Sequence, residues 1–249
     1  MARIISVHSF RGGTGKSSIV ANVAALLAAG GCRVGVVDTD IQSPGIHVLF
    51  GQRGSELHKT LNDFLWGRSA ITEAAYDVTP QTGTAGRIFL IPSAARVSEI
   101  TRVLREGYDA RNLVRGLRDL TDQLKLDVLL IDTHPGINEE QLLSIAISHT
   151  LAMVLRPDSQ DYEGTGITVA VARQLEVPNL MLVINQVPAA LDRAALQAQV
   201  EQTYGCPVAA VLPHSDELML LGSDGLFVLR FPAHPMIALY QQLANHFMA

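Results

Sequence analysis

The stretch Ile4-Ile5-Ser6-Val7-His8-Ser9-Phe10-Arg11-Gly12-Gly13-Thr14-Gly15-Lys16-Ser17-Ser18-Ile19-Val20 decides the fold. An apolar, β-branched run leads into a glycine-rich turn, and Ile19, Val20, Val23, Leu26 and Leu27 then recur at helical spacing until Gly30-Gly31 supplies a stop. Glycines let a backbone turn so that several N–H groups face one point, where the helix N-terminus adds positive potential. A lysine just inside such a helix reaches β- and γ-phosphates, and the following hydroxyl can ligate Mg²⁺. The strict phosphate-loop pattern places glycine at the position of Phe10, so the ordinary motif fails and a variant built on Gly12-Gly13 fits.

Beyond the loop, apolar runs recur at Val34–Val37, Ile88–Ile91, Val128–Ile131, Leu151–Leu155, Leu180–Ile184 and Val208–Leu212, with helical periods between them such as Leu113, Val114, Leu117, Leu120 and Leu124. Continuous rather than alternating apolar runs are those of strands covered on both faces. The expected fold is α/β, a doubly wound, mostly parallel sheet flanked by helices, with ligands at the carboxyl ends of strands. At 249 residues, 48% hydrophobic and 17% charged, the chain has a cored globular composition, and 1–249 reads as a single domain.

Asp38 and Asp40 directly follow the second run, and Asp132 ends a later one in Ile131-Asp132-Thr133-His134-Pro135-Gly136. Carboxylates at these strand ends emerge on the edge that carries the glycine-rich loop, placed to hold Mg²⁺ or to orient a water. A lone aspartate there is otherwise a helix cap or turn former. Gly136 would let its loop approach a γ-phosphate closely.

Together these residues resemble the MinD/ParA family of deviant Walker A phosphate-loop ATPases, over most of the chain and most strongly from Ile4 to Gly51 and from Asp127 to about Asp161. The resemblance implies a Mg²⁺-dependent ATPase with ATP cradled by Arg11, Gly12, Gly13, Thr14, Gly15, Lys16, Ser17 and Ser18. It implies that Asp40 orients the attacking water, and that Ser17, Asp38 and Asp132 belong to the metal and switch shell. Asn185 matches the asparagine that reads the adenine edge, and Pro213 a residue beside that ring. It further implies an ATP-dependent sandwich homodimer, a spatial regulator that positions DNA, a septum or other cargo and answers to an activating protein partner. Arg11 stands where the family has a signature lysine reaching across the dimer. Arginine keeps the charge and can act in trans much as an arginine finger does, with Lys16 and Asp40 completing the catalytic set. The alternatives are a nucleotide-gated scaffold with weak hydrolysis and an ATP-dependent small-molecule ligase.

The remaining sequence narrows the partners. The chain carries 19 Lys plus Arg against 24 Asp plus Glu, and only three of the basic residues are lysines (Lys16, Lys59 and Lys125). A net charge of −5 argues against a broad nucleic-acid footprint, and the one basic cluster, Arg102, Arg105, Arg111, Arg115 and Arg118, is offset by Asp109, Asp119 and Asp122. No apolar run is long enough for a membrane span, the opening Met1–Ile5 has no signal-peptide pattern, and Tyr240–Ala249 lacks the basic residues of an amphipathic membrane anchor. A cytoplasmic protein is expected. Cys32 and Cys206 form no Cys-x-x-Cys pair, which argues against an iron–sulfur role, and the scattered histidines, His134 among them, have no metal-ligand spacing.

Overall fold

A computed structural model of the chain describes residues 2–249, apart from the side chains at positions 104, 110, 139 and 140; Met1 lies outside the described residues. Eight strands form one sheet: β1 (Arg3–His8), β2 (Arg33–Asp38), β3 (Tyr76–Asp77), β4 (Arg87–Ile91), β5 (Val128–Asp132), β6 (Thr150–Leu155), β7 (Asn179–Val187) and β8 (Val208–Pro213). Their order is β3-β4-β2-β5-β1-β6-β7-β8, parallel throughout except for β3, which pairs antiparallel with β4. All seven expected runs are strands. The two-residue β3 is the addition, too short to leave a periodic signal and made a strand by pairing with β4.

Successive side chains on each strand point to opposite faces, so each face needs its own cover. Ile5, Val7, Val34, Val36, Val128 and Leu130 join one core with α1 (Lys16–Ala29) and the C-terminal helix Met236–Met248, which contributes Met236, Tyr240, Leu243, Ala244 and Phe247. On the other face, Val37, Leu129 and Ile131 pack under Leu113, Leu117 and Leu120 of helix Ala110–Gln123. Beside them, Leu151, Met153, Leu182 and Ile184 pack under helices Ser159–Gln174 and Arg193–Tyr204. The apolar stripe of the C-terminal helix is therefore core, and no helix among the described residues is long and apolar enough to cross a membrane.

The connection after β1 runs toward β2 on one side of the sheet, whereas that after β5 runs past β1 to β6 on the other. Oppositely directed crossovers open a crevice at the carboxyl ends of β1 and β5, where α/β sheets bind ligands. The glycine-rich loop leaves β1, and Asp132 ends β5, at that crevice.

Candidate nucleotide site

The loop between β1 and α1 is shaped by Gly13 (φ 77°) and Gly15 (φ 90°), both in the left-handed region that glycine occupies without strain. Gly15 has a second reason to lack a side chain: a Cβ there would stand 2.4 Å from Asn185 Nδ2. That amide donates to the Thr14 carbonyl at 2.7 Å, and Gln186 Nε2 donates to the Gly13 carbonyl at 3.0 Å. The end of β7 thus grips the loop from outside. Helix α1 starts at Lys16 with no side-chain cap and no acidic residue in its first turn, whereas Asn138, Asp158, Asp192 and Ser215 cap other helices. Its first N–H groups are left for an anion.

Lys16 is 7% exposed, and its Nζ donates to Ser9 Oγ at 3.0 Å. Burial pushes its pKa down, while the charges of Asp132 and Asp40 push it back up. Asp38 and Asp132 lie opposite one another on β2 and β5, and both are buried. Burial, then the charges of Asp132 and Asp40, raise Asp38 well above the usual carboxylate range. Burial likewise raises Asp132 to about 7, against the opposing pull of the Ser17 hydroxyl and Lys16, and its Oδ1 has no hydrogen-bond partner among the described residues. Two crowded, dehydrated carboxylates, one with an orphan oxygen next to a serine hydroxyl, fit a hard divalent cation. Asp38 is further held by the backbone N–H groups of Asp40 (3.0 Å) and Gly45 (3.3 Å).

The structure brings the phosphate loop, Ser17, Asp38, Asp40 and Asp132 to one crevice, with Asn185 on its rim. Pro213 closes β8 opposite Val187, beside a cleft of about 530 Å³ lined in part by Gln186, Pro188, His214 and Ser215. The Ser18 hydroxyl is engaged by Tyr240 of the C-terminal helix and by Asn22. Arg11 is held within its own chain, with Nη1 3.5 Å from both Asp158 and Asp161. Arg156 completes that cluster, binding Asp161 through Nε (3.0 Å) and Nη2 (3.2 Å). Burial pushes the Asp161 carboxyl up, but the hydrogen bonds from Arg156 and the charge of Arg11 outweigh it and leave its pKa lowered.

Three features escaped the sequence reading. Phe10 fills a space over helix Ser159–Gln174 that exists because residue 164 is glycine. His134 Nδ1 stands 2.6 Å from Asp40 Oδ1. His8, buried under the loop and lowered to about 3 by burial and then by Lys16, contacts Thr133 Oγ1 at 2.6 Å. None belongs to a motif; all three follow from which strand ends become neighbours.

Comparison with known proteins accords with this geometry. The ParA family model, described as the NUBPL iron-transfer P-loop NTPases, matches residues 1–247. An uncharacterized ATP-binding protein of Methanocaldococcus jannaschii is 27% identical over 245 residues, covering 98% of this chain and 87% of that protein. An iron-sulfur cluster carrier protein of Pyrococcus furiosus is 26% identical over 188 residues, 73% of this chain and 60% of the carrier. The septum site-determining protein MinD of Pyrococcus horikoshii, solved with Mg-ADP, superimposes with a TM-score of 0.82 at 22% identity, covering 99% of this chain and 96% of that one. With nearly its whole length matched, and a parallel sheet of MinD type carrying the phosphate loop, this chain belongs to the ParA family of P-loop NTPases.

Proposed function

We propose that the protein is a Mg²⁺-dependent ATPase, one domain over 1–249, that closes as a homodimer around ATP and reopens on hydrolysis, acting as a spatial regulator of a cargo. The observation that carries the reading is the crevice itself: a buried lysine that opens an uncapped helix and is hydrogen-bonded to a serine hydroxyl, with two buried carboxylates at the ends of β2 and β5. Lys16 exchanges Ser9 for a β- or γ-phosphate oxygen, and the free N–H groups of the loop and α1 take up the remaining phosphate charge. Ser17, Asp38 and Asp132 would hold Mg²⁺, which supplies charge neutralisation at the phosphates. Asp40 orients the water for in-line attack, and Asn185 with Pro213 borders the adenine.

Arg11, in the place of the family's signature lysine, serves the partner's nucleotide once it leaves Asp158 and Asp161. Both contacts are long, Arg11 and Asp158 are partly exposed, and the buried Asp161 keeps its two bonds from Arg156, so their loss costs little. An activating protein partner would act by favouring that release. DNA is a weaker candidate for the surface on which the protein works, since within the basic cluster Arg102 is paired with Glu106 and Arg111 with Asp109.

A second reading, carriage of an iron–sulfur cluster, is favoured by the family description and the carrier relative. Cys32 and Cys206 precede β2 and β8, five positions apart in the sheet, roughly 24 Å at the usual strand spacing. They do not converge within one chain, so that reading requires ligands shared between chains. Calorimetric titration of Mg-ATP, with phosphate release, tests the main reading. Wild type should bind and hydrolyse ATP and Lys16→Ala should do neither; equal binding by both would overturn it. Anaerobic reconstitution with iron and sulfide that leaves the protein colourless would remove the second.

A further inference from the structure

We propose that His134 is a positioning residue for hydrolysis, which fixes the Asp40 carboxylate by a hydrogen bond from Nδ1 to Oδ1; the proposal rests on the reading that Asp40 orients the attacking water. Asp40 Oδ1 is gripped from two sides, by the backbone N–H of Ser43 at 3.0 Å and by His134 Nδ1 at 2.6 Å. Because a carboxylate only accepts, the shared hydrogen belongs to His134 Nδ1. Oδ2 accepts no hydrogen bond from the described residues and stays available to a water. A carboxylate held through one oxygen loses the rotation that would scatter its other oxygen, and such preorganisation lowers a barrier without tightening substrate binding.

The grip has force because His134 itself stands on a fixed base. Thr133, its neighbour, donates from Oγ1 to the Val7 carbonyl at 3.0 Å and accepts from His8 at 2.6 Å. The Asp132 carbonyl accepts from the Thr39 N–H (2.9 Å) and hydroxyl (3.0 Å). The Gly136 N–H donates to the Ser9 carbonyl at 3.1 Å. The loop that follows β5 is thus bonded to the ends of β1 and β2 on both sides of His134, and the imidazole bridges from it to the loop that follows β2. The charge of Asp40 is also felt at Lys16, Asp132 and Asp38.

The test is a double-mutant cycle with kcat and the Kd for a non-hydrolysable ATP analogue measured separately. His134→Ala should lower kcat by roughly 10- to 100-fold, the worth of a hydrogen bond to a charged group, with Kd within about twofold of wild type. His134→Asn, whose amide nitrogen can take the place of Nδ1, should recover most of the loss. In the Asp40→Ala background, which is itself slow, His134→Ala should have no further effect. Full turnover by His134→Ala overturns the proposal. So does a loss that persists without Asp40, or one that moves kcat and Kd together and is not rescued by asparagine. Wild-type turnover by Asp40→Ala would instead overturn the reading of Asp40, so the two failures are told apart.

Discussion

Gly164 carries a prediction whose sign depends on Phe10. A Cβ at position 164 would lie 2.0 Å from Phe10 Cδ1, 2.1 Å from Cγ and 2.6 Å from Cβ. Ordinary carbon contacts begin near 3.5 Å, so the ring must retreat by roughly 1.5 Å. Overpacking of this kind costs about 1–3 kcal/mol, while replacing glycine by alanine inside helix Ser159–Gln174 returns up to about 1 kcal/mol of helix propensity. Gly164→Ala should therefore destabilise the protein by about 1 kcal/mol net, a fall of roughly 2–4 °C in Tm for a chain of this size. Alanine at position 10 would keep the Cβ that lies 2.6 Å away, so the partner variant is Phe10→Gly; in that background the clash with residue 10 is gone and Gly164→Ala should stabilise by about 0.5–1 kcal/mol. Denaturant melts of the four proteins give the coupling directly. Because Phe10 precedes Arg11 on the phosphate loop, Gly164→Ala should also weaken ATP binding, and the double variant should recover it relative to Gly164→Ala alone. If Gly164→Ala stabilises equally in both backgrounds, Phe10 does not occupy the space that glycine leaves.

Burial raises Asp132 to about 7, so the folded, nucleotide-free protein holds a proton that the unfolded chain has released above pH ~4. The contribution of Asp132 to stability therefore falls as pH rises from about 4 through 7, alongside Asp38 and against the buried neutral His8. The stability of Asp132→Asn relative to wild type should rise with pH across that window, and a difference that does not change with pH in chemical denaturation would refute the assignment. By the same linkage, Mg-ADP should raise Tm more at pH 8 than at pH 6 in wild type, with a smaller difference in Asp132→Asn, where Asp38 remains. Arg11→Ala removes two contacts of 3.5 Å from a partly exposed side chain, so its stability should change by under about 1 kcal/mol. Its ATP turnover per chain, measured against protein concentration, should lose the rise seen in wild type; a rate indifferent to concentration in both proteins would sink the trans role. Asn185→Ala loses the 2.7 Å bond to the Thr14 carbonyl and the proposed adenine contact, so ATP affinity should drop about 5- to 10-fold and the preference for ATP over GTP should narrow, as read by competition binding.

The sheet was legible in the chain because its strands are buried on both faces, and a short, continuous apolar run such as Val128–Ile131 suits a strand covered from both sides. The phosphate loop was legible because its chemistry is local: Gly13, Gly15, Lys16 and Ser17 act from adjacent positions of one turn. What was not legible is long-range. His134 meets Asp40 across 94 residues, Phe10 meets Gly164 across the sheet edge, and Arg11 meets Asp158 across 147 residues. Those meetings depend on the strand order, with β5 beside β2 and β6 beside β1, which periodicity within a run does not encode. A histidine with no ligand spacing reads as a surface residue until its strand end has a neighbour.

The central claim, that the γ-phosphate controls association, is tested most directly by sedimentation velocity on Asp40→Ala, in which ATP should persist. With Mg-ATP the protein should sediment as a dimer, and with Mg-ADP or no nucleotide as a monomer of 26.8 kDa. The same mass under all three conditions would contradict the account.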